Sequence, residues 1–210
     1  QGVGLRIILI DYEDSFVHTL ADYFRQTGAH VITYRHTKAL EDLIHLAPNL
    51  IVHSPGPGRP VDFAVPHAIR HFAEHHIPQF GICLGLQGTV EAFGGELNVF
   101  AEPRHGKSWQ VWHRGSDMFD GVPSPCRVGA YHSLYAIREK LPGCLEVLAE
   151  NEEGVVMAVR HRELPIKAVQ FHPESILSME GSVGHQIVTN VVSMLQKQVS
   201  RRSEMVNHHW

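Results

Sequence analysis

Residues 77–95, IPQFGICLGLQGTVEAFGG, place a cysteine between two glycines where an apolar run gives way to a helical pattern. The run IPQFGIC has the length of a buried strand, and the helical part ends at a glycine pair, which is a common helix C-terminus. A cysteine that only fills core volume needs no small neighbours. One on a tight strand-to-helix turn does, because backbone and substrate approach it closely. The stretch predicts a strand–turn–helix unit that presents Cys83 as a candidate nucleophile.

The same alternation of strand and helix fills the first half of the chain. The apolar runs LRIILI (5–10), HVITY (30–34) and LIVHS (50–54) are each followed by a helical pattern, and the third helix is expected at 65–76, after the loop SPGPGRP. Apolar runs of this kind, separated by helices, indicate an α/β fold with a parallel sheet. We therefore expect a sheet buried between two layers of helices.

The pattern changes after about residue 95. Shorter strand-like pieces follow, in the order GELNVF, SWQVWHR, CRVGAYHSLYAI and EGVVMAVRH, before IKAVQF and a last helix from about 184 to 197. No linker or internal repeat separates the two halves. We expect one domain over residues 1–198, and a disordered tail or residues added in cloning over 199–210.

Composition excludes several classes of function. The chain has 210 residues, of which 43% are hydrophobic and 19% charged, with a formal net charge of −4, so it is expected to be globular without a basic patch for nucleic acid or membrane lipid. The three cysteines have no paired spacing and no leader precedes the first strand, which favours a cytoplasmic setting. The chain begins with Gln1 rather than methionine, which suggests a processed chain or a piece of a longer one.

Ligands of such sheets bind outside the carboxyl ends of the strands, and three loops lie there in the predicted fold. They are SPGPG, CLG and, after the last strand, HPES. Cys83 precedes the Leu84 amide at a helix N-terminus, where unpaired amides favour a thiolate and a developing oxyanion. The motif G-x-C-x-G by itself is equally compatible with a buried structural thiol, and SPGPG by itself with an ordinary tight turn.

A second motif favours the catalytic interpretation of Cys83 over the structural one. In VQFHPES, Pro173 disfavours helix at the preceding residue, so His172 and Glu174 are expected to project to one side of an extended segment. His172 could then face the sulfur while Glu174 orients the imidazole ring. The order Cys, His, Glu differs from the order nucleophile, acid, histidine of ordinary α/β-hydrolases, which makes that class the weaker interpretation. Cys126 and Cys144 have no base nearby in sequence and are expected to be structural thiols.

Seventeen histidines raise the question of a metal site. His67, His71 and His75 recur every four residues and could line one helix face, where a histidine pair can bind zinc. No glutamate lies at the required position between them and no cysteine pair completes a site. We therefore expect a solvated histidine-rich face and no metal.

The motifs SPGPG, GICLGLQ, HGK, YHSL and VQFHPES, in this order and across nearly the whole chain, resemble the class I glutamine amidotransferases. The resemblance is to the glutaminase part of anthranilate synthase, in the form fused to a chorismate-using domain. It implies a three-layer α/β fold, flavodoxin- or Rossmann-like, with a mixed, mostly parallel central sheet flanked by helices. It also implies that Cys83 is the nucleophile, His172 the base and later acid, and Glu174 the residue that holds the imidazole. The residues implied to bind glutamine or its oxyanion are Gly56, Pro57, Gly58, Leu84, Gln87, Ser133 and Leu134.

The resemblance also implies the partner. Ammonia from glutamine would pass to a chorismate-using synthase domain, without a cofactor in this domain and with Mg²⁺ expected in the partner. The product would be anthranilate, for tryptophan synthesis, or alternatively aminodeoxychorismate or a phenazine precursor. A non-catalytic glutamine-binding module is the third possibility, which an intact Cys83, His172 and Glu174 argues against. The loop HGK (105–107) and the helix near Leu86 are expected to face the partner.

Overall fold

The computed structural model of the chain describes residues 1–175 and 182–208, and for residues 103–107 and 130–132 it describes the backbone alone. Five α-helices and nine strands lie along these residues, and they alternate only as far as β5. In chain order they are β1 (Arg6–Asp11), α1 (Val17–Arg25), β2 (His30–Arg35), α2 (Leu40–His45), β3 (Leu50–His53), α3 (Val65–Glu74), β4 (Gln79–Ile82), α4 (Leu84–Ala92), β5 (Leu97–His113), β6 (Cys126–Ala136), β7 (Leu145–Asn151), β8 (Val156–His161), β9 (Ile166–Val169) and α5 (Val183–Asn207).

All nine strands form one sheet in the order β2-β1-β3-β4-β9-β8-β7-β5-β6. Strands β2, β1, β3, β4 and β9 are parallel to one another. From β9 onward each neighbouring pair is antiparallel, so β8, β7, β5 and β6 extend the parallel core at one side. The predicted mixed α/β sheet is thus confirmed, and the carboxyl ends of its parallel strands all lie at one edge.

The two faces of the sheet are covered by different helices. In β1, Ile7 and Leu9 belong to a core cluster with residues of α1 and α5, whereas Ile8 and Ile10 belong to a second cluster with residues of α3 and α4. Successive side chains of a strand point to opposite faces, which explains why this run is apolar throughout. Burial of one such side chain contributes about 1.5–3 kcal/mol, and the four isoleucine and leucine side chains are at most 2% exposed.

The second half of the chain departs from the sequence prediction in two places. The pieces GELNVF and SWQVWHR are parts of one strand, β5, whose pairing with β6 shifts register on both sides of Arg104. Strand β7 was not predicted, because its sequence LEVLAEN is only half apolar and its burial is mixed. Propensity is a weak guide for strands of this kind, since their stability comes from cross-strand neighbours.

The C-terminal helix is longer than expected. We predicted a helix over about 184–197 and disorder from residue 199, but α5 continues to Asn207. Its buried residues end at Leu195 and its last turns are exposed, so the apolar pattern stops before the helix does. The prediction of a disordered tail is therefore wrong through residue 207, and residues 209 and 210 lie outside the described residues. Among the described helices, none is both long and apolar enough to cross a membrane.

Candidate active site

The predicted loops meet at the carboxyl edge of the parallel strands. Strands β3, β4 and β9 lead into SPGPG, CLG and HPES respectively, and β1 adds a fourth loop, residues 12–16. The backbone joins these loops directly, since the Cys83 amide donates to the Val169 carbonyl at 2.8 Å and the Ser54 amide donates to the Ile10 carbonyl at 3.2 Å. Segments far apart in sequence are thereby held around one point.

Cys83 lies on a sharp turn between β4 and α4. Its backbone has φ 54° and ψ −96°, a conformation that is unfavourable for a residue with a Cβ and costs about 1–3 kcal/mol. The surrounding hydrogen bonds maintain it, because the Cys83 carbonyl accepts from the Gln87 amide at 3.1 Å. The strand-to-helix turn expected from the sequence is confirmed, and it directs the thiol toward the loops.

The two glycines beside Cys83 are required by close packing. A Cβ atom on Gly81 would lie 2.6 Å from the backbone of Gly85, and one on Gly85 would lie 2.9 Å from the His53 carbonyl oxygen. Both distances are shorter than side-chain carbons tolerate, so the start of α4 can approach β3 and β4 only without side chains there. The glycines therefore set the position of the turn.

His172 and Glu174 form a buried pair beside Cys83. The His172 Nδ1 and Glu174 Oε1 atoms are 2.8 Å apart, and both side chains are largely buried. The His172 amide donates to the Gly129 carbonyl of β6 at 2.9 Å, which fixes the extended segment. Because Nδ1 is directed at Glu174, Nε2 is the ring nitrogen that can hydrogen-bond to the thiol of Cys83.

The electrostatic environment favours the protonated form of His172. Burial by itself lowers the pKa of this imidazole, but hydrogen bonds to Cys83 and Glu174, together with their negative charges, raise the pKa well above its usual value. A charged imidazole beside the sulfur favours a thiolate–imidazolium pair. This is the arrangement required for a cysteine nucleophile with an attached general acid.

A cavity of about 690 Å³ opens onto these three residues. Its lining includes Cys83, His172, Glu174 and Gly56. The remaining lining residues are Asp14, Ser15, Phe16, Thr19, Tyr23, Pro55 and Ser175, which come mostly from the first loop and α1. The sequence analysis did not predict that this first loop belongs to the site. The segment DYEDS directly follows a buried strand, and ligands of such sheets bind outside the carboxyl ends of the strands, so it could have been predicted.

Asp14 brings a second carboxyl group to the cavity. Burial, and the charge of Glu174, raise the pKa of Asp14 to about 6, although His172 and the Phe16 amide act in the opposite direction. The carboxyl therefore titrates close to neutral pH and adds negative charge near the imidazole above that pH.

The residues predicted to bind glutamine are distributed over three places. Gly56 lines the cavity, while Pro57 and Gly58 are exposed on the same loop. Gln87 is buried and its Nε2 donates to the Leu134 carbonyl at 3.3 Å. The remaining two are Leu84, which is buried at the start of α4, and Ser133, which is exposed on β6. Of the site residues predicted from the sequence, only Gly56 and the three catalytic ones therefore line the cavity.

Gln170 is a candidate functional residue that the sequence analysis missed. Its side chain is fully buried, its Nε2 lies 3.5 Å from the Cys83 sulfur, and its Oε1 accepts from Gln87 Nε2 at 3.4 Å. The residue stands two positions before His172, in the motif VQFHPES, and the same alternation that pairs His172 with Glu174 could have identified it. It connects the thiol to a predicted glutamine-binding side chain.

A second buried chain of hydrogen bonds supports the SPGPG loop through His53, the residue directly before it. His53 Nε2 lies 2.7 Å from Gln79 Oε1, and its Nδ1 lies 2.7 Å from the Tyr12 hydroxyl. Burial lowers the pKa of His53 to about 4, despite the bond to Gln79. The ring is therefore neutral at physiological pH, and it donates to Gln79 and accepts from Tyr12.

The other two cysteines differ from Cys83 in their surroundings. All three are free thiols. Burial raises the pKa of Cys126 to about 11, which keeps its thiol protonated and unreactive, and Cys144 is half-buried on the segment before β7. The cavity lining contains Cys83 and neither of the others.

The family of the chain follows from comparison with known proteins. The family model for glutamine amidotransferase class-I matches residues 8–192, which include every residue of the site. The chain belongs to the class I glutamine amidotransferases. This family is the one that the sequence motifs predicted, and the chain spans only about a quarter and a half of the length of two curated relatives that it matches.

Individual relatives agree with this family. The chain is 54% identical over 194 residues to an anthranilate synthase of Azospirillum brasilense, a match that covers 92% of this chain and 26% of that protein. It is 43% identical over 189 residues to aminodeoxychorismate synthase component 2 of Klebsiella aerogenes, covering 89% and 99% of the two chains. A solved glutamine amidotransferase structure from Thermotoga maritima superposes with a TM-score of 0.72 at 16% identity, covers 91% and 97% of the two chains, and supports the fold.

Proposed function

We propose that this domain hydrolyses glutamine to glutamate and ammonia at Cys83, and that the ammonia serves a chorismate-using synthase that makes anthranilate. The buried set of Cys83, His172 and Glu174, which lines the cavity, carries the first part of the proposal. The second part is supported by the 54% identical Azospirillum relative, of whose length this chain spans 26%, which leaves room for a synthase in that protein. A cytoplasmic setting, where Cys83 stays reduced, belongs to the same proposal.

The first half-reaction forms a thioester. The Cys83 thiolate attacks the side-chain amide carbon of glutamine, and the carbonyl oxygen becomes an oxyanion. The amide of Leu84, at the first position of α4, has no carbonyl one turn earlier to accept its proton, so it is suited to bind the oxyanion together with amides of the Gly56–Gly58 loop. His172 gives its proton to the nitrogen, the carbon–nitrogen bond breaks, and ammonia leaves.

The second half-reaction restores the enzyme. His172, now neutral, removes a proton from water, whose oxygen attacks the thioester carbon. The carbon–sulfur bond breaks, glutamate leaves, and Cys83 and His172 return to their initial protonation states. Glu174 holds the imidazole through Nδ1 in both steps. The chain itself supplies nucleophile, acid–base group and amide donors, so the proposed reaction calls for no cofactor in this domain, and the Mg²⁺ expected from the resemblance belongs to the partner.

Gln170 is proposed to position and stabilise the thiolate. We expect Gln170→Met, which keeps the volume and removes the amide, to lower kcat for glutamine hydrolysis roughly tenfold, the effect of losing one hydrogen bond to a charged group. The rate of iodoacetamide alkylation of Cys83 at a fixed neutral pH should fall as well, because the sulfur loses its contact with the Gln170 amide. A kcat and an alkylation rate equal to those of the parent chain would contradict the proposed role.

Partner dependence is the second expectation. Ammonia released by an isolated glutaminase is lost to solvent, so a domain that feeds a synthase has reason to be slow until the partner and its substrate are bound. Phe16 at the cavity mouth is 60% exposed, and a docked partner would cover such an aromatic side chain. The predicted docking helix near Leu86 does not fit, because Leu86 is fully buried, and the side chains of HGK lie outside the described residues.

We therefore expect weak glutaminase activity from this chain alone. Adding an anthranilate-type synthase domain with chorismate should raise glutamate production at least about tenfold, and adding a nucleotide should not. Production of glutamate is measured directly, and the same additions to the Cys83→Ala chain show how much activity belongs to this domain.

The alternative acceptor of the ammonia is a synthase that makes aminodeoxychorismate. The similarity to the Klebsiella component favours this synthase as the second candidate. Stimulation by an aminodeoxychorismate-type synthase, without stimulation by the anthranilate type, would establish that alternative. Equal turnover with and without either partner would refute coupling to a chorismate-using synthase.

A further inference from the structure

A cluster of metal-binding side chains lies on the surface between α2 and α3, away from the cavity. Glu41 is in the first turn of α2, His71 is in the last turn of α3, and His75 directly follows α3. One potential ligand atom from each of the three lies within 4.8 Å of the others. Glu41 Oε1 and His71 Nε2 are 2.7 Å apart.

Glu41 supplies a third metal ligand, which the spacing of the histidines did not indicate. The histidines of α3 are spaced four residues apart, but no carboxylate lies between them in the chain at the position that a zinc-binding helix requires. The third ligand comes from thirty residues earlier, on the neighbouring helix. Two imidazoles and one carboxylate form a set that zinc accepts, with a remaining position for water.

Ring geometry selects His75 rather than His67 as the second imidazole. The His71 and His75 rings are 5.2 Å apart and inclined by 56°, whereas the His67 and His71 rings are 6.2 Å apart and nearly parallel, at 28°. The His67 and His71 rings are thus farther apart than the His71 and His75 rings. His67 is also outside the cluster of converging ligand atoms.

We propose that Glu41, His71 and His75 bind one Zn²⁺ ion that links α2 to α3. In a tetrahedral site with bonds of about 2.0–2.1 Å, ligand atoms lie about 3.4 Å apart, so the present separations require only side-chain rotation. Glu41 and His75 are exposed and free to make that adjustment. Imidazole ligands favour Zn²⁺ over Mg²⁺ or Ca²⁺, which prefer oxygen.

The consequence of binding is local. Helix α2 has six residues, of which Leu43 is buried and Leu40 and Ile44 are partly buried against the same core cluster. An ion that bridges α2 and α3 adds a bond between them and slows the opening of α2. The site is independent of the proposed glutamine chemistry, which occurs at the carboxyl edge of the sheet.

Calorimetric titration of the full chain with Zn²⁺ tests the site. The chain carries Cys83→Ala, so that the active-site thiol cannot bind the ion. We expect one saturable site whose Kd rises at least about tenfold in His71→Gln and in His75→Gln, since even residues behind metal ligands have effects of this size. Glu41→Gln should weaken binding less, because both imidazoles remain. Mg²⁺ should give no saturable binding.

His67→Gln is the matched control, because it removes a histidine at the same helical spacing from His71. This variant should keep the Zn²⁺ affinity of the parent chain. Hydrogen exchange of the amides of residues 40–46 should slow with Zn²⁺ in the parent and in His67→Gln, but not in His75→Gln. Equal affinity in all variants, an absence of saturable binding, or loss in His67→Gln with retention in His75→Gln would each overturn the proposal.

Discussion

Cys83→Ala is expected to reduce kcat for glutamine hydrolysis by at least about 10⁴-fold, because removal of a nucleophile abolishes the covalent route and leaves only binding and oxyanion stabilisation. The substitution removes one sulfur atom from a turn held by backbone hydrogen bonds and close glycine contacts, so the fold should persist. Glutamate production in a coupled dehydrogenase assay measures the loss. Mass spectrometry should detect an iodoacetamide adduct on Cys83 in the parent chain.

The other two cysteines provide the control. Cys144→Ala and Cys126→Ala should retain glutaminase activity within a few-fold, because Cys144 is outside the cavity lining and burial keeps the Cys126 thiol protonated. Cys126→Ala is expected to lose some stability instead, since its side chain is in the main core cluster. Activity in Cys83→Ala within tenfold of the parent would refute the thioester mechanism.

His172→Ala is expected to lower kcat by at least about a thousandfold, because both the proton donor to ammonia and the base for water are lost. Glu174→Gln should have a smaller effect, by roughly ten- to a hundredfold, because a neutral group still contacts Nδ1. Single-turnover measurements of the enzyme-bound glutamyl thioester distinguish the two half-reactions.

The pH profile gives a readout that a merely structural role of Glu174 would not change. The charge of Glu174 contributes to raising the pKa of His172, so its removal should lower that pKa. The imidazolium would then lose its proton at a lower pH, and the alkaline limb of the kcat/KM profile should move to lower pH. An unchanged alkaline limb, or a loss as large as in Cys83→Ala, would mean that Glu174 does not act only by holding and charging the imidazole.

The first half of the fold was predictable because it is encoded locally. The first four parallel strands are mostly apolar runs bounded by turn residues, so the order of strands and helices could be identified from the sequence without knowing which strands pair. Cys83 could be identified for the same reason, since the two glycines beside it signal a tight turn. His172 and Glu174 followed from a proline that imposes an extended backbone.

The antiparallel half was predicted less well because its strands depend on their partners. The pairing of β5 with β6 continues through two register shifts, which no local pattern indicates. Strand β7 is only half apolar and is fixed by β8 and β5 on either side. The last turns of α5 have no buried face. A helix boundary predicted from the apolar pattern therefore came too early in the sequence.

The sequence alone therefore determined the α/β class, the turn at Cys83 and the pairing of His172 with Glu174, because these depend on neighbours within a few residues. Only the tertiary structure decided which groups meet across the sheet. Gln170 reaches the sulfur because β9 lies beside β4, and Asp14 reaches the cavity because β1 ends at the same edge. Glu41 contacts His71 because α2 and α3 pack on one face of the sheet. Such contacts between residues distant in sequence arise only when the chain has folded.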